Sequence, residues 1–235
     1  FICFGKKHEL AFQDKDFEEN KIKYFEHECM NLEDIAKAVE YYGLHRDGMT
    51  DEIILPSIDS LDGQLTREKW NDYNSVVEIV YSGIENNLTD DSNGEQFYRG
   101  NEITWLDIVQ KRDIEWNEYN KWKEIIIKKL QNDRISECKL LHGAGAGGTT
   151  LSRRLMWDIK DTNPTLRLRK FDSDAANIIV DIYRKTGKSV FVVVEMGSTI
   201  ISEDEYECLK RDVNAQSSHA LFLKVERATL KEEEQ

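Results

Sequence analysis

The chain is poor in proline, poor in cysteine and short of positive charge. Only Pro56 and Pro164 occur in 235 residues. Breaks in the chain must therefore be read from glycine, Asn, Asp and Ser. The four cysteines, Cys3, Cys29, Cys138 and Cys208, lie far apart and form no CxxC pair. That excludes a disulfide framework and zinc-site spacing, and it fits a reducing, cytoplasmic compartment. His27 sits among glutamates beside Cys29 in "FEHEC" (25–29). Neighbours on a strand point to opposite faces, so these groups read as surface and not as a ligand set. There is no apolar run long enough to span a membrane and no signal peptide.

Lysine and arginine number 32 against 45 aspartates and glutamates, a net charge of −13. Such a chain repels phosphate backbones, so direct nucleic-acid binding is not expected. The densest basic stretch, "TLRLRK" (165–170), reads as a strand with a solvated basic face. What is present is a core-forming composition, 40% hydrophobic with 33% charged residues. The chain begins at Phe1 and not Met. It reads as a segment of a longer protein, with its sheet cut short.

Three regions follow from the pattern. Residues 1–90 read as a small α/β region. "FICFG" and "IKYFE" are strand candidates, Asn31 caps a helix over 32–39, and Thr66 caps a helix over 66–84. The run "NNLTDDSNGE" (86–95) has no apolar periodicity and marks a boundary. Residues 91–135 form a linker and a lead-in helix from about 112 to 130. Its stripe of Trp116, Tyr119, Trp122, Ile126 and Leu130 reads as core. Residues 136–235 alternate strand and helix as βαβαβαβ, ending in "ALFLKVE" (220–226). "SVFVVVE" (189–195) is a continuous apolar run of the kind buried on both faces of a parallel sheet. The expected fold is an α/β, P-loop NTPase-like three-layer sandwich with a parallel sheet.

Between the first of those strands and its helix lies "GAGAGGTT" (143–150). Gly143, Gly148 and Thr150 fit G-x-x-x-x-G-K-[ST], except that Thr149 stands where the lysine belongs. Gly143, Gly145 and Gly148 also fit G-x-G-x-x-G. In either reading Gly143, Ala144, Gly145, Ala146, Gly147, Gly148 and Thr149 cradle phosphate through backbone N–H groups at a helix N-terminus. The phosphate-loop reading makes Thr150 a Mg²⁺ ligand. It gives Glu195, at the end of "FVVVE", a metal- or water-orienting role and makes Arg227 a sensor of the terminal phosphate. The dinucleotide reading uses Asp172, about twenty residues past the glycines, as a ribose-binding acid. A third reading keeps the loop as a turn that binds nothing.

"GAGAGGTTLSRRLMW" (143–157) resembles the phosphate loop of STAND-type NTPases. It is most similar to the lysine-lacking subset found in the sterile-alpha-motif antiviral factors and related bacterial defence proteins. The matching residues are Gly143, Gly145, Gly147, Gly148, Thr149, Thr150 and Trp157. "FYRGNEITW" (97–105) resembles that group's lead-in at Arg99, Gly100 and Trp105. The resemblance covers roughly 97–227. It implies an ATP-type nucleoside triphosphate with Mg²⁺ and a switch acting through self-association or effector domains of the same larger protein. It also implies a role in innate antiviral defence, with 1–90 the remnant of an effector or sirtuin-like module. The chain departs from the pattern at the absent lysine and at Met196, which follows Glu195 where a second acid is usual. Arg153 or Arg154 could replace the lysine in part. The expectation is a nucleotide-binding switch, at most a weak NTPase. The rivals are a pseudo-NTPase scaffold for protein contacts and a dinucleotide-binding domain.

Overall fold

A computed structural model describes residues 2–4, 23–25, 52–59, 61, 63–87, 95–113, 116–131, 135–196 and 201–228. The chain divides into two compact units, Phe1–Met49 and Thr50–Gln235. In the first, β1 (Ile2–Phe4) pairs in parallel with β2 (Lys23–Phe25). The helix expected after Asn31 and the stretch around His27 lie outside the described residues.

The second unit opens with an antiparallel pair, β3 (Glu52–Ile54) and β4 (Gln64–Thr66). There follow α1 (Arg67–Asn74), β5 (Val77–Val80), a 3₁₀ turn (Ile84–Asn87), and the short helices α2 (Glu95–Tyr98) and α3 (Trp105–Val109). Next come α4 (Tyr119–Leu130), β6 (Ser136–His142), α5 (Gly148–Ile159), β7 (Thr165–Leu168) and α6 (Ala175–Thr186). The last described elements are β8 (Val190–Glu195), α7 (Glu203–Ala215) and β9 (Ala220–Arg227).

Five strands form one sheet in the order β5-β7-β8-β9-β6. β6, β9, β8 and β7 run parallel, and β5 closes the far edge antiparallel to β7. The period-two alternation of the strands divides the core in two. Val190, Val192, Val194, Ala220 and Phe222 pack with α6 and α7 on one face. Phe191, Val193, Leu221, Leu223 and Val225 pack with α3, α4 and α5 on the other. All six residues of β8 are buried, as the unbroken apolar run predicts. The fold is therefore an α/β, P-loop NTPase-like three-layer sandwich. Among the described residues no helix is long and apolar enough to cross a membrane.

Four expectations need correction. The boundary at residue 90 is wrong, because β5 hydrogen-bonds to β7 inside the central sheet and β3–β4 packs on the same core. The unit carrying the glycine loop thus starts near residue 50. The helix over 66–84 is split: Thr66 does cap α1, accepting from the Lys69 N–H, but the helix ends at Asn74. Val76, Val77, Ile79 and Val80 are buried, and β-branched residues favour a half-covered sheet edge over a helix. The lead-in is broken as well, since α4 starts only at Tyr119 and leaves Trp116 ahead of it. Finally, the basic face of "TLRLRK" is not simply solvated. Arg167 turns to the α5 side of the sheet, its side chain 18% exposed and ion-paired to three carboxylates.

Candidate phosphate loop and its surroundings

The loop between β6 and α5 has the geometry its glycines foretold. Gly145 and Gly147 adopt positive φ, 73° and 78°, where a side chain would be strained. Gly147 is the N-cap of α5, so the first-turn N–H groups of the helix point out without intrahelical acceptors. A side chain on Gly145 would meet only open space. Gly148 is required for another reason: a Cβ there would run into the His142 ring. That ring is fixed by its Nδ1–H, which donates to the Gly143 carbonyl at 2.9 Å.

Three strand ends stand side by side beneath this turn. Alternation along each strand sends His142 of β6, Arg227 of β9 and Glu195 of β8 to the α5 face. Arg227 is the register partner of His142, and the Ala228 N–H donates to the His142 carbonyl at 2.9 Å. Arg227 is thus the last residue of β9 and is exposed beside the loop. Glu195 is 3% exposed, so it is not a solvent-facing strand end. Its Oε1 accepts from the Ser152 hydroxyl at 3.0 Å, and its Oε2 lies 3.4 Å from Arg167 Nη1.

Arg167 is the hub of a half-buried polar network. Its Nε donates to Glu78 Oε2 at 2.7 Å, and its Nη1 reaches Glu102 at 3.3 Å as well as Glu195. Burial pulls its basicity down, but Glu78, Glu195 and Glu102 outweigh this and raise it above the ordinary arginine value. Glu78 also accepts from the Trp105 indole N–H at 2.7 Å. Arg153 completes the group, donating to Glu102 and to the Ile103 carbonyl. Burial, then the neighbouring Arg167, depresses the Arg153 pKa.

Neither arginine after the loop substitutes for the missing lysine. Arg153 is held by Glu102 and Ile103, while Arg154 grips both oxygens of Asp113 and the Ile108 carbonyl. Together they tie the lead-in segment to α5, helped by the stacked rings of Trp105 and Trp157. Tyr119 and Lys123 both donate to Asp158, at 2.5 and 2.7 Å. Between lead-in and helix runs a cleft of about 480 Å³, its walls including Lys111, Trp116, Thr150, Leu151 and Arg154. At its loop end the Trp116 ring lies 3.0 Å from where a Gly147 Cβ would stand. As the stripe reading expected, Trp116 packs, partly buried, against the core on the α5 face, and it also stands between loop and cleft.

The proposed metal pair does not converge. Thr150 lines the cleft, whereas Ser152, which holds Glu195, faces the sheet. Residues two apart on a helix point about 200° apart. Both Glu195 oxygens already have partners. The residues present therefore do not fit a Mg²⁺ held by Thr150 and Glu195.

Strand order also decides against a dinucleotide-binding domain. In that fold the strand bearing the ribose acid lies beside the glycine-loop strand. Here β9 and β8 separate β7 from β6. Three strand spacings put Asp172 about 14 Å to the side. It accepts from the Asp174 N–H at 3.1 Å and borders a different hollow with Asp72 and Asp181.

Ser152, Arg167, Glu78, Glu102 and the placement of Trp116 were not singled out from sequence. Ser152, two residues past Thr150, is the one with a local signal; the others reach the site only through the fold.

No protein-family model matches the chain, and comparison with curated proteins gives no match. Among solved structures, one of C. elegans PCH-2 is similar over 86% of this chain, at 12% identity and a TM-score of 0.38. The chain spans 65% of the length of that neighbour. A likeness at that level lends no residue roles here.

Proposed function

We propose that this chain is a nucleotide-binding regulatory segment that holds an ATP-type ligand at the glycine loop and turns it over slowly or not at all. The observation that carries this is the open, positive-φ loop at the N-terminus of a buried helix, continuous with an aromatic-walled cleft. Backbone N–H groups of 143–149 take the phosphates, and the helix dipole adds to their attraction. The nucleoside lies in the cleft along Thr150, Leu151 and Arg154, with Trp116 as its stacking surface. Arg227, beside the loop on β9, meets the terminal phosphate. Without the lysine, and with Glu195 engaged elsewhere, little is left to stabilise a phosphoryl-transfer transition state.

The motif resemblance supports a STAND-like switch in an immunity protein, acting through self-association or effector domains of the longer chain. The second reading, a scaffold that binds no nucleotide, is favoured by the missing lysine and the locked acid. Equilibrium binding of ATP, dATP and NAD separates them: a scaffold binds none. The strand order predicts that NAD binds no better than ATP.

Two variants probe the site. Trp116→Ala is expected to weaken ATP binding by about 1–3 kcal/mol, the usual worth of one base–aromatic stack. Titration calorimetry reads this directly, and an unchanged affinity would remove the nucleoside from the cleft. Thr149→Lys restores the vacant cation. A hydrogen bond to a charged group contributes about 1.5–3 kcal/mol, so affinity should rise roughly tenfold or more. Turnover should stay at background, because the lysine does not release Glu195. Appearance of steady ATP hydrolysis in this variant would contradict that account of Glu195.

A further inference from the structure

Building on the nucleotide-binding reading, we infer that the loop takes its polyphosphate without a divalent cation held by the protein, because Arg167 fills the cation's place beside Glu195. In a metal-using site the strand-end acid turns oxygen lone pairs toward the ion or its water shell. Here Ser152 donates to one oxygen of Glu195 and Arg167 stands at the other. The Ser152 hydroxyl also lies 3.0 Å from the Thr149 carbonyl, so its one proton is shared between that carbonyl and the acid. Glu195 is thereby a positioning residue: it fixes the first turn of α5 against β8 and does not touch the ligand.

Two arginines offset two of the network's three negative charges without an ion. Glu78, Glu102 and Glu195 face Arg153 and Arg167, and both arginines bond to Glu102. A divalent cation at Glu195 would have to displace the Arg167 guanidinium, which Glu78 holds from the opposite side at 2.7 Å. Thr150, the remaining candidate ligand, lines the cleft on the other side of the helix turn.

The test is ATP binding to the whole chain in excess Mg²⁺ and in EDTA, for the native protein and Glu195→Gln. The inference expects affinities within about twofold in all four measurements, since a held metal would contribute far more. A tenfold or greater loss in EDTA that disappears in Glu195→Gln would overturn it and leave the nucleotide reading intact. No ATP binding under any condition would overturn the nucleotide reading instead. That Arg167 fills a cation's place beside Glu195 is then decided by Mn²⁺ relaxation without nucleotide. The native protein should show no Mn²⁺ site, while Arg167→Met, which leaves three carboxylates around Arg153, should gain one. A Glu195-dependent Mn²⁺ site in the native protein would overturn the inference even if Arg167→Met fails to fold.

Discussion

Gly147→Val is expected to remove measurable ATP binding while the protein still unfolds cooperatively. Gly147 holds φ at 78°, and its missing side chain would come within 3.0 Å of Trp116. A β-branched residue at positive φ costs about 1–3 kcal/mol, and the clash adds to it. The chain relieves both by shifting the turn. Phosphate recognition then suffers more than stability, because several loop N–H groups must point at one anion together. Each hydrogen bond to a charged group contributes about 1.5–3 kcal/mol, so losing one costs roughly tenfold or more in affinity. Gly100→Val is the control: its φ is 93°, yet a side chain there meets open space. It pays for the backbone without touching the loop. If Gly147→Val binds ATP as tightly as Gly100→Val does, the loop is not the phosphate site.

Phe222→Ala should give the largest loss of stability, about 3–5 kcal/mol, in line with large-to-small substitutions in tight cores. Phe222 is fully buried on β9, inside the parallel sheet, and meets Tyr206 edge-on with ring centres 6.0 Å apart. Tyr206 is locked in turn, its hydroxyl donating to Glu137 at 2.9 Å. Neither ring can move far to fill the void, so little of the cost is recovered. For a chain of this size the melting temperature should fall by roughly 6–20 °C. Calorimetry at fixed pH checks this. A fall of only a degree or two would mean that the α7 face repacks freely. The substitution lies on the face opposite α5, so ATP affinity at low temperature should change little.

Local order from 136 onward was legible in the residues. The continuous run of β8, the alternation around β7 and the helical spacing of Leu151, Leu155 and Ile159 on α5 each follow from one short window. So does the loop, because only glycine tolerates the positive φ at 145 and 147. The N-terminal half was less legible. Val77 and Val80 fit a helical stripe as well as a strand, and burial against β7 decided between them. Trp116 fits an aromatic core stripe, and its contact with Gly147 depends on where α4 begins.

The sequence by itself determined the sandwich class and the positive-φ turn of the glycine loop, because both depend on residues near one another in the chain. Only the tertiary structure decided what the charged residues do. Strand order carried Asp172 away from the loop and set Arg227 beside it. Packing brought Glu78, Glu102, Arg153, Arg167 and Glu195 together from five separate segments. A buried charge must find a partner wherever the fold offers one, and residues distant in sequence carry no local mark of that choice.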